Sequence, residues 1–149
     1  MKRSFQILIL AMLLTVSCGI HERNMATAYY GPWQKVQFEG TVADSVKTNY
    51  LLTLKYRVHS GDGTFTLQLS AADNPKGKKD AVTYTGKRYT QRGIPSDNDA
   101  TLWQLVCDEA SGNVIFNFLY DKSENSLLLL DENFEKPSPE SDYKLTRVK

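Results

Sequence analysis

The chain has 149 residues, of which 41% are hydrophobic, and a formal net charge of +1. This length is comfortable for one domain and too short for two ordinary ones. The nearly balanced charge excludes a global positive field of the kind that attracts nucleic acid or an acidic polymer, so no nucleic-acid partner is expected.

The N-terminal segment has the features of a bacterial lipoprotein signal peptide. Two basic residues precede an apolar run over residues 5–14, which is well short of the ~20 residues that span a bilayer. The run ends in TVSC, which resembles the lipobox, where the cysteine receives a diacylglycerol and the chain is cut just before it. We therefore predict a signal peptide over 1–17 and a lipid on Cys18 as the sole bound group, with several acyl chains giving stable membrane anchoring. The alternative is a plain secretory signal that is cut elsewhere and leaves Cys18 idle.

The residues after the cysteine predict a tether, and those beyond it a single domain. Residues 18–32 show no sustained period and few aliphatic side chains, so the domain is placed at 33–149. An acylated Cys18 leaves Cys107 without a disulfide partner. Because alternation places Cys107 on the same face as Trp103 and Leu105, we expect a buried, inert thiol.

From residue 33 onward the dominant period is two, which is typical of half-buried strands. Turn residues separate the segments, for example GDG at 61–63, while RGIPSDNDA at 92–100 is predicted as a loop. SLLLLD is apolar throughout and predicts a strand covered on both faces. The predicted strands are QKVQFEG (34–40), NYLLTLKYRV (49–58), TFTLQLS (64–70), 81–90, TLWQLVCD (101–108), NVIFNFLYD (113–121), SLLLLD (126–131) and YKLTRV (143–148).

About eight short strands without a convincing helix favour an all-β fold, a small antiparallel barrel or a sandwich. Closure into a barrel removes exposed strand edges, and eight strands enclose just enough space for side chains or one small ligand. Core filling is the simpler interpretation of the inward face, and a cavity for an apolar ligand is the alternative. The candidate pocket-lining residues are Tyr50, Leu52, Leu54, Phe65, Leu67, Trp103, Phe116 and Phe118.

The order EGTVADS, YLLTLKY, GDGTFTLQLS, GKKDAVTYTGKRYTQRG, SENSLLLLDEN and YKLTRV resembles the N-terminal domain of NlpE-type lipoproteins. The resemblance runs from about Phe38 to Val148 and implies a calycin-like or lipocalin-like barrel tethered to the outer membrane. That family is associated with copper resistance and envelope stress. Its copper-handling members carry C-x-x-C after the first strand, whereas this chain reads TVADS at 41–45. A soft Cu(I) ion prefers thiolate ligands, and this chain lacks them here, so the resemblance does not imply a metal site in this chain.

The sequence gives little support for a metal site or a catalytic site. His21, Met25, His59 and Cys107 are too few and too scattered for a transition-metal site. Asp97 to Asp99 could ligate a hard cation but are more typical of turn chemistry. No motif places a nucleophile, a base and its orienting partner together, so we expect no enzyme activity and no catalytic residues.

A basic stretch with interleaved tyrosines is the remaining motif. We interpret it as a solvated sheet edge, with an anionic surface such as lipopolysaccharide or another protein as the alternative partner. Its members are Lys76, Lys78, Lys79, Tyr84, Lys87, Arg88, Tyr89 and Arg92.

Together these features predict a lipoprotein of the bacterial cell envelope, anchored in the outer membrane through Cys18, with its periplasmic or surface orientation left open. The expected role is a non-catalytic binding or sensing module with an envelope protein partner. A carrier of a small apolar ligand is the alternative, and copper or other metal homeostasis is a weaker one.

Overall fold

The computed structural model describes residues 30–60, 63–74 and 80–149, and within them the chain forms eight antiparallel strands. Each strand pairs with the next, and the last pairs with the first, so the sheet closes into a barrel. This confirms the predicted all-β, eight-stranded antiparallel barrel. The strands are β1 (Trp33–Ala43), β2 (Lys47–Arg57), β3 (Gly63–Ala71), β4 (Val82–Ile94), β5 (Asp97–Cys107), β6 (Ile115–Asp121), β7 (Ser126–Leu130) and β8 (Lys144–Arg147). Single-turn 3₁₀ helices lie at Glu109–Ser111 and Glu140–Tyr143.

Alternating apolar side chains fill the inside of the barrel. Because successive residues of a strand point to opposite faces, every second residue contributes to this core. Phe38 and Trp103 meet edge to face with ring centroids 5.8 Å apart, and Tyr84 meets Phe116 in the same way at 5.2 Å. The fully buried inward residues are Phe38, Leu52, Leu54, Leu67, Leu105, Phe118, Leu127 and Leu145.

A second, smaller apolar cluster lies on the outside of the barrel. Residues of the segment 131–143 pack against it, so that segment acts as a cover. β7 is therefore buried on both faces: Leu127 belongs to the inner core, and Leu128 belongs to the outer cluster. The prediction made from the apolar run SLLLLD is confirmed. The buried members of the outer cluster are Ile94, Leu102, Leu128 and Leu130.

The segment RGIPSDNDA, predicted as a loop, is instead the hairpin between β4 and β5, so that prediction was wrong. β4 continues to Ile94 and β5 begins at Asp97, which leaves a two-residue turn. Gly93 has a φ of +88° beside a shift in register, which is the geometry of a β-bulge. Burial of Ile94 in the outer cluster stabilises the extended hairpin, and local turn preferences carry no information about that contact.

β4 and β5 approach each other closely at Gly86, which is paired with Cys107. A Cβ placed on Gly86 would overlap the carbonyl oxygen of Val106 and lie 2.8 Å from the Cα of Cys107. Both obstacles are backbone, which cannot move aside as a flexible side chain can. A glycine inside a strand commonly marks such a bend or close backbone approach.

We expect Gly86→Ala to lower the free energy of unfolding by at least about 2 kcal/mol, because the added methyl forces two strands apart. Gly112→Ala is the matched control, since Gly112 has a φ of +85° and nothing within 4 Å of an added Cβ. The control should lose only the cost of the left-handed backbone, about 1 kcal/mol. Denaturant unfolding of both variants measures the difference, and equal losses would contradict the close approach at Gly86.

Candidate functional site

The predicted pocket-lining residues all belong to, or pack against, the inner core. Tyr50 and Phe116 are partly buried against it, and the other six are buried members of it. Leu52, Leu54 and Leu67 have no solvent-accessible surface. A cavity wide enough for water would leave accessible area on the side chains that line it, so these positions are filled by their neighbours. A ligand in the barrel would have to displace them, and the carrier role stays a prediction.

The barrel interior also holds a cation that the sequence analysis missed. Arg88 is only 3% exposed, and its guanidinium carbon lies 4.5 Å from the ring centre of Tyr56 and 4.7 Å from that of Trp103. Trp103 in turn stacks on Tyr120, with centroids 4.4 Å apart. Electron-rich ring faces compensate part of the cost of removing a cation from water. The interpretation of the basic stretch as a solvated sheet edge is wrong, because β4 is paired with β3 on one side and β5 on the other in the closed barrel. Lys87 is nevertheless exposed on the outer face, whereas Arg88 follows the inward alternation of β4.

The chain enters the barrel through residues that are themselves bound to it. The carbonyl of Tyr30 accepts a hydrogen bond from the backbone N–H of His59 at 2.9 Å, and that of Pro32 accepts one from Val58 at 3.4 Å. Gly31 lies between them with a φ of +74°, where a Cβ would come 3.1 Å from Val58. The last residues of the predicted tether 18–32 are therefore part of the barrel wall, and the entry point is fixed beside the end of β2.

An exposed tryptophan stands at this entry point. Trp33 begins β1, is 54% exposed, and pairs across the sheet with Arg57. The Arg57 guanidinium carbon lies 5.0 Å from the Trp33 ring centre, and the Lys55 ammonium nitrogen lies 5.4 Å from it. Two cations therefore converge on one solvent-exposed aromatic ring.

A row of lysines crosses the outer wall next to this tryptophan. Lys35 is directly opposite Lys55, Lys55 is opposite Thr64, and Thr64 is opposite Lys87. Like charges that face each other across a sheet are destabilising. We name this surface the Trp33 face, formed by Trp33, Lys35, Lys55, Arg57, Lys87 and Tyr89.

Two grooves flank Trp33 on this face. One has a volume of about 510 Å³ and includes Lys35 and Lys55 in its lining. The other has a volume of about 300 Å³, and Lys87, Arg88 and Tyr89 contribute to its lining. No acidic side chain of the described residues lines either groove. The face thus combines exposed aromatic rings with four surface cations, a chemistry that suits an anionic partner with an apolar part.

The remaining candidate ligands do not come together. Among the residues with described structure, no group of three or more His, Cys, Asp or Glu side chains could hold a metal ion. Asp97 accepts a hydrogen bond from the backbone of Asp99, and Asp99 forms an exposed ion pair with Arg92 at 2.5 Å. His59 is exposed beside the chain entry. Cys18, His21 and Met25 lie outside the described residues, as do Lys76, Lys78 and Lys79.

Cys107 is buried and unpaired by any disulfide, in the core with Trp103 and Leu105, as the alternation predicts. Burial, and secondarily the charge of Asp108, raise the pKa of its thiol. Asp108 itself is exposed and caps the 3₁₀ helix at Glu109–Ser111. The Thr85 hydroxyl donates to its carboxylate at 2.6 Å and the Ser111 N–H at 3.0 Å, and these hydrogen bonds lower the pKa of Asp108.

No family model, curated protein or solved structure matches the chain. Within the described part of the chain, no helix is long and apolar enough to cross a membrane.

The lowered pKa of Asp108 predicts a pH-dependent contribution to stability. A carboxyl whose pKa is lower in the folded state stabilises the fold above its unfolded-state pKa, about 3.9. That contribution is lost as the pH falls through the lower folded-state value. Thr85→Val removes the hydroxyl that is the main cause of the shift. The stability gap between wild type and Thr85→Val should therefore be wider at neutral pH than below pH 3.9, as followed by denaturant unfolding.

Thr83→Val is the matched control, because Thr83 is an exposed residue on the same face of the same strand. Its stability difference from wild type should not vary across this pH range. A Thr85→Val gap that stays constant with pH would contradict the role of this hydrogen bond in holding the carboxylate charged.

Proposed function

We propose that the protein is a lipid-anchored lipoprotein of the bacterial cell envelope whose barrel is a non-catalytic binding module. The observation that carries the binding role is the Trp33 face, where an exposed tryptophan and a cross-strand row of lysines lie together. Exposed apolar patches rimmed by polar residues mark interaction sites on soluble domains. Arg and Trp are also enriched at binding surfaces relative to the rest of a protein surface.

The envelope placement rests on the sequence before the barrel. A short basic start, an apolar run of signal-peptide length and TVSC support cleavage before Cys18 and acylation of its thiol. The resemblance to NlpE-type lipoproteins supports the outer membrane as the location and envelope stress as the setting. In the position of that family's C-x-x-C, Thr41 donates a hydrogen bond to Asn49 at 2.8 Å and Ser45 is exposed. This arrangement offers hydroxyl groups and no soft metal ligand, so copper handling is not part of the proposal.

The anchor is tested by replacing its thiol. Cys18→Ala should abolish incorporation of radiolabelled palmitate, because no other group accepts the diacylglycerol, and should release the protein from the membrane fraction. Cys107→Ala is the matched control: it removes the other cysteine and should leave both label and membrane attachment unchanged. Palmitate labelling that persists in Cys18→Ala would refute the proposed anchor.

The binding mode is tested by titrating the protein with an apolar fluorescent dye. Because Leu52, Leu54 and Leu67 are completely enclosed by their neighbours, we expect no saturable binding at micromolar dye. Two variants decide the result if binding is observed: Leu54→Trp fills the inside of the barrel, and Gln68→Trp adds the same ring on the outside. Because a tryptophan at Leu54 overpacks a filled core, thermal unfolding must first show that both variants are folded. Saturable binding that folded Leu54→Trp abolishes and Gln68→Trp preserves would establish the carrier role instead.

A further inference from the structure

The Trp33 face lies close in the chain to the proposed lipid anchor on Cys18. The chain enters the barrel beside this face, since Tyr30 and Pro32 are hydrogen-bonded to the end of β2. Cys18 precedes Tyr30 by twelve residues, and such a length of chain spans at most about 40 Å. A lipid on Cys18 therefore keeps the Trp33 face within that distance of the bilayer surface. Tethering of this kind raises the effective concentration of a nearby surface without any further contact.

The chemistry of the face matches that of a lipid headgroup region. Trp and Tyr place an apolar ring next to a polar group and are enriched at membrane–water interfaces. Trp33 is 54% exposed and Tyr89 is 42% exposed, and both contribute to the lining of the smaller groove. Lys and Arg near an anionic membrane are attracted to its surface charge. The long side chains of such residues also cover apolar surface while their charged ends stay in water.

We propose that the Trp33 face seats on an anionic lipid bilayer, with the Trp33 and Tyr89 rings in the headgroup region and Lys35, Lys55, Arg57 and Lys87 over the lipid phosphates. The proposal rests on the lipid anchor of the proposed function, which brings the face to the membrane. Beyond that function, the proposal states that the Trp33 face is the side of the barrel that contacts the bilayer and that anionic lipids hold it there. Arg57 and Lys87 line the smaller groove and provide a place for a phosphate group, whereas the guanidinium of Arg88 lies inside the barrel against aromatic rings.

The distribution of acidic residues restricts the orientation. Asp97, Asp99, Asp121 and Glu124 are exposed and lie in or beside the β4–β5 and β6–β7 turns, at the same end of the barrel as the chain entry. An anionic surface repels Asp97 and Asp121, whereas Asp99 and Glu124 are partly neutralised by ion pairs with Arg92 and Lys144. The barrel therefore rests on the outer wall of β1 to β4 near its entry end, and the β4–β5 and β6–β7 turns point away from the lipid. Glu39, which is exposed on the outer face of β1, lies further from the entry end than Lys35.

The two tryptophans of the chain allow a direct measurement. Trp33 is exposed, whereas Trp103 is 6% exposed in the core, so lipid-borne quenchers reach only Trp33. The mature protein, lipidated on Cys18, is reconstituted into phosphatidylcholine vesicles with brominated acyl chains, with and without phosphatidylglycerol. We expect quenching of the exposed tryptophan in the anionic vesicles, little in the neutral ones, and reversal at high salt because the attraction is screened.

Charge variants test the role of the lysine and arginine side chains. K55Q/R57Q removes two cations of the face. Each charge contributes about five-fold to the equilibrium constant for association of the face with the anionic bilayer, so the double variant should lower that constant roughly 25-fold. K47Q/K136Q is the matched control, because both lysines are exposed and neither belongs to the Trp33 face. Lys47 begins β2 at the opposite end of the barrel, and Lys136 lies in the segment between β7 and β8. The control should be quenched like wild type. Thermal unfolding confirms that both double variants are folded.

Flotation with neutral vesicles tests membrane anchoring by the lipid separately from binding of the Trp33 face to the bilayer. A protein that floats with neutral vesicles is anchored whether or not its tryptophan is quenched, and one that does not float refutes the proposed function. Seating is refuted if quenching is equal in neutral and anionic vesicles, or if K47Q/K136Q reduces it as much as K55Q/R57Q does. An anchored protein whose Trp33 stays unquenched in anionic vesicles likewise overturns the proposal and leaves the face to a protein partner.

Discussion

The pairing of β8 with β1 is the contact on which the rest of the structure depends. It is short: Phe38 faces Arg147, Glu39 faces Thr146, and the Val148 N–H donates to the Gln37 carbonyl at 2.9 Å. This contact turns a curved sheet into a closed ring, which removes the strand edges that would otherwise pair with other chains. Closure also gives the sheet one face toward the core and one face toward solvent. Each residue's position along its strand therefore decides on which face its side chain lies.

Closure also limits what the interior can do. Eight strands enclose a space that ordinary side chains can fill, and in this barrel Leu52, Leu54, Leu67 and Phe118 fill it without leaving accessible surface. The inward charge of Arg88 is accommodated by the ring faces of Tyr56 and Trp103. With the inside occupied, the binding surface that we propose lies on the outer wall. There the same alternation that buries Leu54 places Lys55 outward, so the core and the Trp33 face come from adjacent residues of one strand.

The sequence predicted the strands and the core well because both follow from a local period of two. It also predicted the burial of Cys107 and the two covered faces of the SLLLLD strand. It failed for the hairpin at 92–100 because Ile94 finds its partners in the outer cluster, far along the chain. It missed the Trp33 face for a related reason. Lys35, Lys55 and Lys87 become one row only through the register of three strand pairs, which a single sequence does not give.

The facing lysines of the Trp33 face repel each other in solution, and this repulsion favours an anionic partner. Directly opposite residues of an antiparallel pair have Cβ atoms about 5 Å apart, which is shorter than the screening length of about 8 Å at physiological salt. Ions in solution therefore screen only part of the repulsion between two charges held at this separation. Long side chains can relieve such repulsion by turning apart. The Lys55 side chain extends over the Trp33 ring, and the Arg57 guanidinium extends over the same ring, so positive charge remains concentrated on this face. A negatively charged surface converts this repulsion into shared attraction, whereas a neutral partner would leave it in place.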